Sequence, residues 1–556
     1  MTPRTGSKIR PILGASRDST APVFLCAPLI ESKVKTKTLI RSGRLEGEER
    51  LGVAVFRGVP FASASAGSGR FREPGPAPVW SGTRMARRSG AAAPQGAVLS
   101  RFVRGYSSVP AAGWAEDCLH AEIYTPGCDG QRRPVMLWIH GGGYTTGSGS
   151  FWLYDGARLA GRGDVVVVAI NYRMGVFGNL DLSGLDPMAS DSNVGLRDQL
   201  AALRWVHDEI EAFGGDPDNI TLFGQSAGAM SIGNLMAAPM AEGLFHRVIL
   251  QSGAMRHVHT PVESRQIAEQ FMLELGVDPD RREAIEEMRG LPAEALLKAQ
   301  QGLRRKLKLP IGVLAWQATV DGDLLPEAPI DRVRRGRVSA LPMLVGVTRD
   351  EWKMFTAADS RRRKFDEPML RDYLAQTLER DHVDEGVDVD DLLDHYGHDR
   401  ERSGRRGLIE IWEAFQSDRV FRRPAIELAD AYAASQAPTW VYRFDRAPSV
   451  MTERIGACHA IELPFVFGTL RNPLLRTAFA WPPDAIRLSD TMQDIWTAFA
   501  HRGEPGSGAT WPRYRAGEGE LRILGGKRRN AQAADSLERQ FWERLTPETS
   551  TREVPV

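Results

Sequence analysis

Ser226 lies in a Gly-x-Ser-x-Gly sequence that spans residues 224–228. A short apolar stretch at 219–223 precedes it, and a run of small residues at 229–236 follows in a pattern that predicts a helix. A tight turn from strand to helix holds a serine hydroxyl above a sheet, where only glycine tolerates the crowding. Because the pentapeptide alone is weak evidence, its interpretation as a nucleophile depends on the rest of the chain.

Three consecutive glycines follow His140 at the end of an apolar stretch, 135–139, which has the composition of a buried strand. Such a backbone can approach a substrate closely and direct N–H groups at one point, as an oxyanion hole requires when a carbonyl becomes tetrahedral. A flexible glycine turn is the alternative. The order of strand, glycine loop and later Gly-x-Ser-x-Gly favours the functional interpretation.

A serine nucleophile needs a general base, and the base needs a carboxylate that orients it. If the histidine comes last in the chain, the candidates are His382, His395, His398, His459 and His501. The first three lie in a charged helical stretch and are expected to face solvent, while His501 ends a predicted helix, where the helix dipole accounts for it. His459 follows a predicted strand, 439–444, and small residues, so it is the preferred base. A structural loop histidine is the alternative.

Asp350 and Glu351 come directly after another predicted strand, 343–347. Position alone does not choose between these two carboxylates as the orienting acid. A surface turn is the alternative interpretation of the pair.

The totals fit a globular enzyme: 556 residues, of which 42% are hydrophobic and 25% charged. A formal net charge of +1 gives no overall field that would attract nucleic acid or an anionic membrane, so the basic clusters at 304–306 and 361–363 are interpreted as solvated faces. No apolar run reaches the length of a membrane span. Four scattered cysteines are too few for a disulfide framework or a clustered zinc site and suit a reducing, cytoplasmic compartment.

Residues 1–33 lack periodic structure and are interpreted as a disordered N-terminal extension. Basic residues followed by an apolar run at 21–30 loosely resemble a signal peptide, so an exported protein and an over-extended start are both open alternatives. Residues 34–556 are expected to form one domain. Alternating strands and helices predict a doubly wound α/β sheet, mostly parallel, whose ligands lie beyond the carboxyl ends of the strands. Helical insertions near 260–310 and 353–420, and an irregular segment at 62–115, are expected to wall the site.

These features together resemble the type-B carboxylesterases, the family of bacterial para-nitrobenzyl esterases and cholinesterases. The similarity runs from about residue 34 to 542. The motifs that match the family lie at 56–62, 116–119, 140–144, 171–173, 195–199, 213–217, 224–228, 251–253 and 463–468. The resemblance implies an α/β-hydrolase fold, with Ser226 as nucleophile, Glu351 as acid and His459 as base. It also implies an oxyanion hole made by the N–H groups of Gly142, Gly143 and Ala227.

Departures from the family pattern carry information. Secreted relatives pair the Cys118 position with an upstream cysteine, but Ala93 stands there, so that bridge cannot form. Gln225 replaces the glutamate that cholinesterases carry before the nucleophile, which favours neutral over cationic esters. Trp352 replaces the usual glycine after the acid, which leaves Asp350 as a minor rival to Glu351.

The resulting expectation is a serine hydrolase that cleaves a small carboxylic ester through an acyl-enzyme, without metal or organic cofactor. An amide or carbamate hydrolase with the same triad is the first alternative. A non-catalytic recognition module, which usually lacks the serine, is the second. The sequence predicts neither the natural ester nor the oligomeric state.

Overall fold

An eleven-stranded sheet forms the centre of the computed structural model. The structure describes residues 34–63, 67–96, 112–306, 314–381, 387–398, 404–506, 511–517, 519–527, 530–532 and 536–545. The expectations for residues 1–33, for His382 and for part of the irregular segment at 62–115 lie outside these ranges. All described residues fall within one compact unit that begins at Val34.

The strands are, in chain order, β1 (Lys37–Ile40), β2 (Gly43–Glu46), β3 (Glu48–Arg50), β4 (Val53–Pro60), β5 (Thr83–Met85), β6 (His120–Thr125), β7 (Arg133–Ile139), β8 (Val166–Ile170), β9 (Gly215–Gln225), β10 (Arg247–Gln251), β11 (Val258–His259), β12 (Ala318–Thr319), β13 (Met343–Thr348), β14 (Thr439–Phe444), β15 (Glu520–Leu524) and β16 (Asn530–Gln532).

The α-helices are α1 (Ala157–Gly163), α2 (Val194–Glu209), α3 (Ala227–Ala237), α4 (Pro261–Leu275), α5 (Ala284–Gly290), α6 (Ala293–Lys306), α7 (Pro329–Arg334), α8 (Lys353–Ala358), α9 (Glu367–Arg380), α10 (Val389–Gly397), α11 (Gly404–Ser417), α12 (Arg423–Ala434), α13 (Thr452–Ile455), α14 (Leu463–Val466), α15 (Pro473–Phe479), α16 (Asp484–Arg502) and α17 (Ser536–Arg544). A π-helical turn, Asp418–Arg422, joins α11 to α12.

The strand order in the central sheet is β16-β15-β14-β13-β10-β9-β7-β8-β6-β4-β3. The seven strands from β15 to β8 pair in parallel, and the outer strands pair antiparallel. The carboxyl ends of β9, β10 and β13 therefore meet at one edge of the sheet. The segments that follow these three strands lie side by side in space although they are far apart in sequence.

The inner strands are buried along their whole length, as their runs of β-branched and apolar residues predict. Alternate residues of β7 point to opposite faces: Leu137 packs in one hydrophobic cluster and Trp138 in the other. Helix α2 contributes Leu203 to the first cluster, and α16 contributes Trp496 to the second. The expected doubly wound sheet with helices on both faces is confirmed.

Two predicted boundaries shift. Apolar residues at helical spacing predict one helix over 195–213. The α-helix ends at Glu209, and a 3₁₀ turn, Ile210–Phe213, carries the chain to Gly214, which has a left-handed φ of 76°. The short apolar segment at 53–56 predicts a strand. This strand continues to Pro60, and its pairing is irregular between Phe56 and Val59. Part of the segment expected to be irregular, Thr83–Met85, pairs with β2 instead.

The insertion expected near 260–310 contains α4 to α6, and the one near 353–420 contains α8 to α11 and the start of the π-helical turn. Helix α8 begins two residues after Glu351. Within the described ranges, no helix is both long enough and apolar enough to cross a bilayer.

Candidate active site

Ser226 occupies the turn between β9 and α3. Its backbone has φ 57° and ψ −127°, a conformation that residues other than glycine rarely adopt. Its N–H donates to the carbonyl of Gln251 at the end of β10, 2.8 Å away, and its own carbonyl accepts from Met230. The strained turn is thus tied to the neighbouring strand and to the following helix, which is the geometry expected of a nucleophile elbow.

The glycines around Ser226 let the loop after β7 pack against this turn. A Cβ on Gly141 would lie 2.5 Å from the carbonyl oxygen of Gln225 and 3.0 Å from the Cβ of Ser226. A Cβ on Gly228 would overlap the carbonyl oxygen of Ile139. Close backbone approach is therefore the physical reason for glycine at both positions.

His459 and Glu351 are in direct contact. Nδ1 of the imidazole lies 2.6 Å from Oε2 of the carboxylate, and both side chains are buried. An ionised carboxylate only accepts, so Nδ1 carries the proton and Nε2 of the neutral ring presents its lone pair. The other oxygen, Oε1, accepts from the Ser252 hydroxyl at 2.6 Å and the Thr348 N–H at 2.7 Å. Glu351 is fixed in one orientation by these three hydrogen bonds.

Asp350 points away from the imidazole. No hydrogen bond joins it to the His459 ring in the described part of the chain. Its carboxylate binds the backbone of Ala457 and pairs with Arg349 and Lys353. Although burial opposes the effect, these partners keep the pKa of Asp350 below its ordinary value. Position in the sequence does not choose between Asp350 and Glu351 as the candidate acid, and in the structure only Glu351 forms a hydrogen bond with His459.

Two aromatic side chains from the second insertion pack on the imidazole. The ring of Phe355 in α8 lies 5.3 Å from that of His459, and Phe421 of the π-helical turn lies 4.6 Å away. The ring of Trp352 packs on that of Phe355 at 4.7 Å, and the backbone N–H of Trp352 donates to the Ser417 hydroxyl. The residue that replaces a family glycine therefore joins the acid turn to the helical insertion.

The loop after β7 presents unpaired N–H groups beside Ser226. Gly142 and Gly143 have φ values of 125° and 61°, and the carbonyl of Gly142 accepts from Thr145 and Thr146. Among the described residues, no acceptor is found for the N–H groups of Gly142, Gly143 and Ala227. Ala227 is the first residue of α3, whose first N–H groups have no partner within the helix.

His140 supports this glycine loop. Its Nδ1 lies 2.8 Å from the carbonyl oxygen of Gly141, and its ring stacks on Tyr172 at 4.6 Å. The Tyr172 hydroxyl donates to the His140 carbonyl at 2.7 Å. Burial lowers the pKa of His140 to about 4, so the ring is neutral at physiological pH. The ring therefore brings no positive charge to the loop.

A buried polar chain runs behind the base. Glu462, three residues after His459, accepts from the side-chain NH₂ group of Gln251 at 3.0 Å, and the side-chain amide oxygen Oε1 of Gln251 accepts from the Trp496 indole N–H at 3.0 Å. Burial first, and the charge of Glu351 second, raise the pKa of Glu462 to about 7. Its second oxygen has no partner among the described atoms.

The other candidate histidines lie elsewhere. His501 contacts the carbonyl oxygen of Gly163 at 2.8 Å, and His398 is exposed. His395 was expected to face solvent, but it is half-buried and stacks on Phe541 at 3.9 Å. The sequence could not predict this contact, because Phe541 belongs to α17, which is far from His395 along the chain.

Sequence reasoning missed the supporting residues. Ser252 lies in one of the segments that carry the family resemblance, but its type alone does not predict that it holds Glu351, and its φ of 50° marks a strained turn after β10. Glu462 was not singled out at all. A polar residue directly after the carboxyl end of a buried parallel strand was the available signal for Ser252. Within the described ranges, no group of three or more His, Cys, Asp or Glu side chains is placed to hold a metal ion.

The fold, the strained turn at Ser226 and the contact between His459 and Glu351 are those of an α/β-hydrolase of the serine type. The carboxylesterase family model matches residues 31–542. The para-nitrobenzyl esterase of Bacillus subtilis is 38% identical over 489 residues, covering 87% of this chain and 93% of the relative. The phenmedipham hydrolase of Pseudarthrobacter oxydans is 34% identical and covers 90% and 96%. A solved carboxylesterase of Geobacillus stearothermophilus superposes with a TM-score of 0.78 at 36% identity, covering 91% of this chain and all of that one.

The chain therefore belongs to the carboxylesterase family, and the expected enzyme class, a carboxylic ester hydrolase, is confirmed.

Proposed function

We propose that the protein hydrolyses neutral carboxylic esters through an acyl-enzyme formed on Ser226. His459 acts as general base and acid, Glu351 orients it, and the N–H groups of Gly142, Gly143 and Ala227 bind the oxyanion. The observation that carries the proposal is the 2.6 Å contact between Nδ1 of His459 and Oε2 of Glu351, because it leaves Nε2 as the basic nitrogen on the side opposite Glu351.

In the acylation half, Oγ of Ser226 forms a bond to the acyl carbon while its proton passes to Nε2 of His459. The carbonyl oxygen becomes an oxyanion and accepts from the free N–H groups of the glycine loop and of Ala227. Each such donor is worth about 10² to 10³ in turnover. The imidazolium then protonates the alcohol oxygen as the ester C–O bond breaks, and the alcohol leaves.

In the deacylation half, His459 takes a proton from water as the water oxygen attacks the acyl carbon. Collapse of the second oxyanion breaks the bond to Oγ, and the imidazolium returns the proton to Ser226. The products are the carboxylic acid and the free enzyme. The ester and water are the only reactants, and His459 returns each proton that it takes up.

A neutral substrate is favoured by the residue beside the nucleophile. Gln225 places an uncharged amide next to His459, where a glutamate would place a negative charge attractive to cations. The Bacillus subtilis relative is named for para-nitrobenzyl esters, which suits nitrophenyl and nitrobenzyl esters of short acids as first probes.

The test compares the wild type with Ser226→Ala on para-nitrophenyl esters of increasing acyl length. The exposed Ser360→Ala is the matched control, because it removes a hydroxyl far from β9 in sequence and on the surface. We expect loss of turnover and of fluorophosphonate labelling only in Ser226→Ala. Wild-type turnover no greater than that of Ser226→Ala at every acyl length would refute the esterase proposal.

The same triad also serves amide and carbamate cleavage, so the leaving group decides between the two activities. Rates on an ester and an amide with the same acyl group measure this preference. We expect the ester to react faster by several orders of magnitude, and equal rates would assign the chain to amide hydrolysis.

We further propose that residues 34–556 act as a single catalytic domain in a reducing, cytoplasmic compartment, with residues 1–33 as an appendage. Cys118, Cys128 and Cys458 are buried and unpaired, which supports the choice of compartment. Burial raises the pKa of the Cys128 thiol to about 12 and that of the other two further, so all three stay protonated.

A further inference from the structure

A small polar cavity lies beside the glycine loop that follows β7. Its polar lining comes from Tyr144 at the end of that loop, Asn179, Gln199 of α2, and Ser231 and Asn234 of α3. Four of these five side chains are at most 3% exposed, and Asn179 is half-buried. The cavity offers about 10 Å³ to the centre of a water molecule, which is room for about one water.

Three buried atoms of this lining have no hydrogen-bond partner among the described residues. They are Oδ1 of Asn179, Oε1 of Gln199 and Nδ2 of Asn234, which are two acceptors and one donor. Native proteins pair nearly all such groups, because a buried polar group that has lost its bond to water destabilises the fold. Three unpaired atoms on the lining of one cavity therefore indicate a bound polar molecule.

The two hydroxyls of the lining add a further donor. The Ser231 hydroxyl accepts from Nε2 of Gln199 at 3.2 Å and donates to the Tyr144 hydroxyl at 3.5 Å. Burial raises the pKa of Tyr144, so its hydroxyl keeps its proton. Because Ser231 is the donor in their contact, the Tyr144 proton can be donated to another acceptor.

A water molecule has the hydrogen-bonding groups that this set requires. It can donate to Oδ1 of Asn179 and Oε1 of Gln199, and it can accept from Nδ2 of Asn234 and the hydroxyl of Tyr144. Four hydrogen bonds are the upper end of what buried waters make. A metal cation would face the N–H and O–H donors, and an anion would face the two acceptor oxygens, so neither fits this mixed lining.

We infer that the cavity binds one water molecule, and that this water fixes the glycine loop against α3 in the arrangement that binds the oxyanion. The second part rests on the oxyanion hole proposed above. Gly142 and Gly143 lead directly to Tyr144, while Ala227 and Asn234 belong to the same helix. The water thus links the two elements that carry the donors. Because the donors act chiefly in the transition state, a shift between these elements lowers kcat more than it changes KM.

A high-resolution crystal structure of the wild type tests the site directly. We expect one ordered water within hydrogen-bond distance of at least three of the four groups on Tyr144, Asn179, Gln199 and Asn234. A cavity without an ordered water, or a water that contacts fewer than three of these groups, would overturn the inference. The measurement does not depend on turnover, so it decides the site even if the protein proves not to be an esterase.

Asn234→Leu tests the role of the water, because leucine keeps the branched shape of asparagine and removes its donor. We expect kcat on nitrophenyl esters to fall about tenfold with KM within about twofold of the wild type. Inhibition by a trifluoromethyl ketone, whose carbonyl becomes an oxyanion when Ser226 adds to it, should weaken by a similar factor. Met236→Leu, further along α3 and outside the cavity lining, is the matched control and should follow the wild type.

Asn179→Leu removes an acceptor of the same water from a different segment, and it replaces Asn234→Leu if that variant fails to fold. No hydrogen bond joins Oδ1 of Asn179 to Nδ2 of Asn234, so coupling between them reports on a shared partner. The kcat of the double variant should therefore lie within about twofold of the lower single variant. Losses that multiply would show that the two residues act separately and would overturn the shared water.

The role in catalysis and the proposed function fail in different ways. Variants that lose the water in their crystal structures but keep wild-type kcat and inhibitor affinity would overturn the role of the water and leave the esterase proposal intact. A wild type that neither turns over esters nor reacts with a fluorophosphonate would refute the proposed function and, with it, the catalytic role of the water.

Discussion

The carboxylate of Asp350 accepts a hydrogen bond from the backbone N–H of Ala457, with Oδ2 2.8 Å from the nitrogen, and the Asp350 N–H returns one to the Ala457 carbonyl at 2.9 Å. One residue after Asp350 and two residues after Ala457, the His459 N–H donates to the Glu351 carbonyl at 3.3 Å. The turn that carries Glu351 and the loop that carries His459 are thus joined through their backbones. Their relative position does not depend on the side-chain contact alone.

We predict that Asp350→Ala lowers kcat on nitrophenyl esters by about 10²-fold, because a shift of the base loop by about 1 Å misaligns the proton transfer. Asp350→Asn keeps an oxygen acceptor and should stay within about tenfold of the wild type. Arg349→Ala removes an ion pair of Asp350 but leaves the Ala457 bond, so it serves as control. Equal losses in Asp350→Asn and Asp350→Ala would contradict a role through the hydrogen bond.

Glu351→Gln should be nearly as damaging as loss of the base. Two donors, Ser252 and Thr348, face the position of Oε1, so the amide oxygen takes that place and the NH₂ group faces His459. Nδ1 must then accept, Nε2 carries the proton, and the Ser226 proton has no acceptor. We expect kcat/KM to fall by about 10³ to 10⁴-fold with the thermal midpoint little changed.

Kinetics on nitrophenyl esters and the rate of fluorophosphonate labelling should show the same loss in Glu351→Gln. Ser252→Ala removes one of the two donors and is the matched partner variant. If Glu351→Gln retains more than about a tenth of wild-type turnover, the tautomer argument is wrong.

Gly141→Ala should displace the serine turn. The added methyl would lie 2.5 Å from the Gln225 carbonyl oxygen and 3.0 Å from Cβ of Ser226, and neither backbone can move freely. We expect kcat to fall at least about 10²-fold and stability by about 1 to 3 kcal/mol. At Gly184 no atom lies within 4 Å of the added methyl, so Gly184→Ala should match the wild type in both measurements.

The buried carboxyl of Glu462 predicts a pH-dependent stability difference. Its pKa is raised from an ordinary value of 4.5 to about 7, chiefly by burial, so the folded state binds this proton more tightly than the unfolded state. The contribution of the bound Glu462 proton to the stability of the folded state is greatest below pH 4.5 and is lost as the pH rises through 7. The loss is on the order of 3 kcal/mol.

Glu462→Gln removes this titration, because the amide is neutral throughout. The thermal midpoint of the variant minus that of the wild type should therefore be higher at pH 8 than at pH 5, with all melts recorded at one scan rate. The exposed Glu294→Gln controls for loss of a surface charge. A relative midpoint that is the same at both pH values would show that Glu462 does not change its protonation over this range.

The sheet could be predicted from the sequence where strands are buried on both faces. The bounds of β14 match the predicted range, 439–444, because its β-branched and aromatic residues are flanked by proline on one side and aspartate on the other. The helix predicted over 195–213 was too long, since Ile210 and Phe213 continue its apolar spacing through a 3₁₀ turn. Periodicity does not distinguish these two kinds of helix at a boundary.

Within the candidate site, only the residues that belong to a recognisable chemical motif could be predicted from the sequence. A Gly-x-Ser-x-Gly turn and a late histidine can be found along the chain, and the family resemblance added Glu351. The choice between Asp350 and Glu351 depends on a contact across 108 positions, and the Gln225 contact spans 234. Local sequence does not show which distant residues come into contact, so the supporting residues can be identified only in the folded chain.

Phe355 and Phe421 have a practical consequence for altering this enzyme. Both belong to the helical segment between β13 and β14, the part of the chain that a protein engineer would exchange to change the range of substrates. Because their rings lie against the imidazole of His459, the proposed base, a graft of that segment from a relative also replaces the surroundings of that imidazole. Chimaeras that keep the native residues at these two positions should separate a gain in substrate range from a loss of catalytic rate.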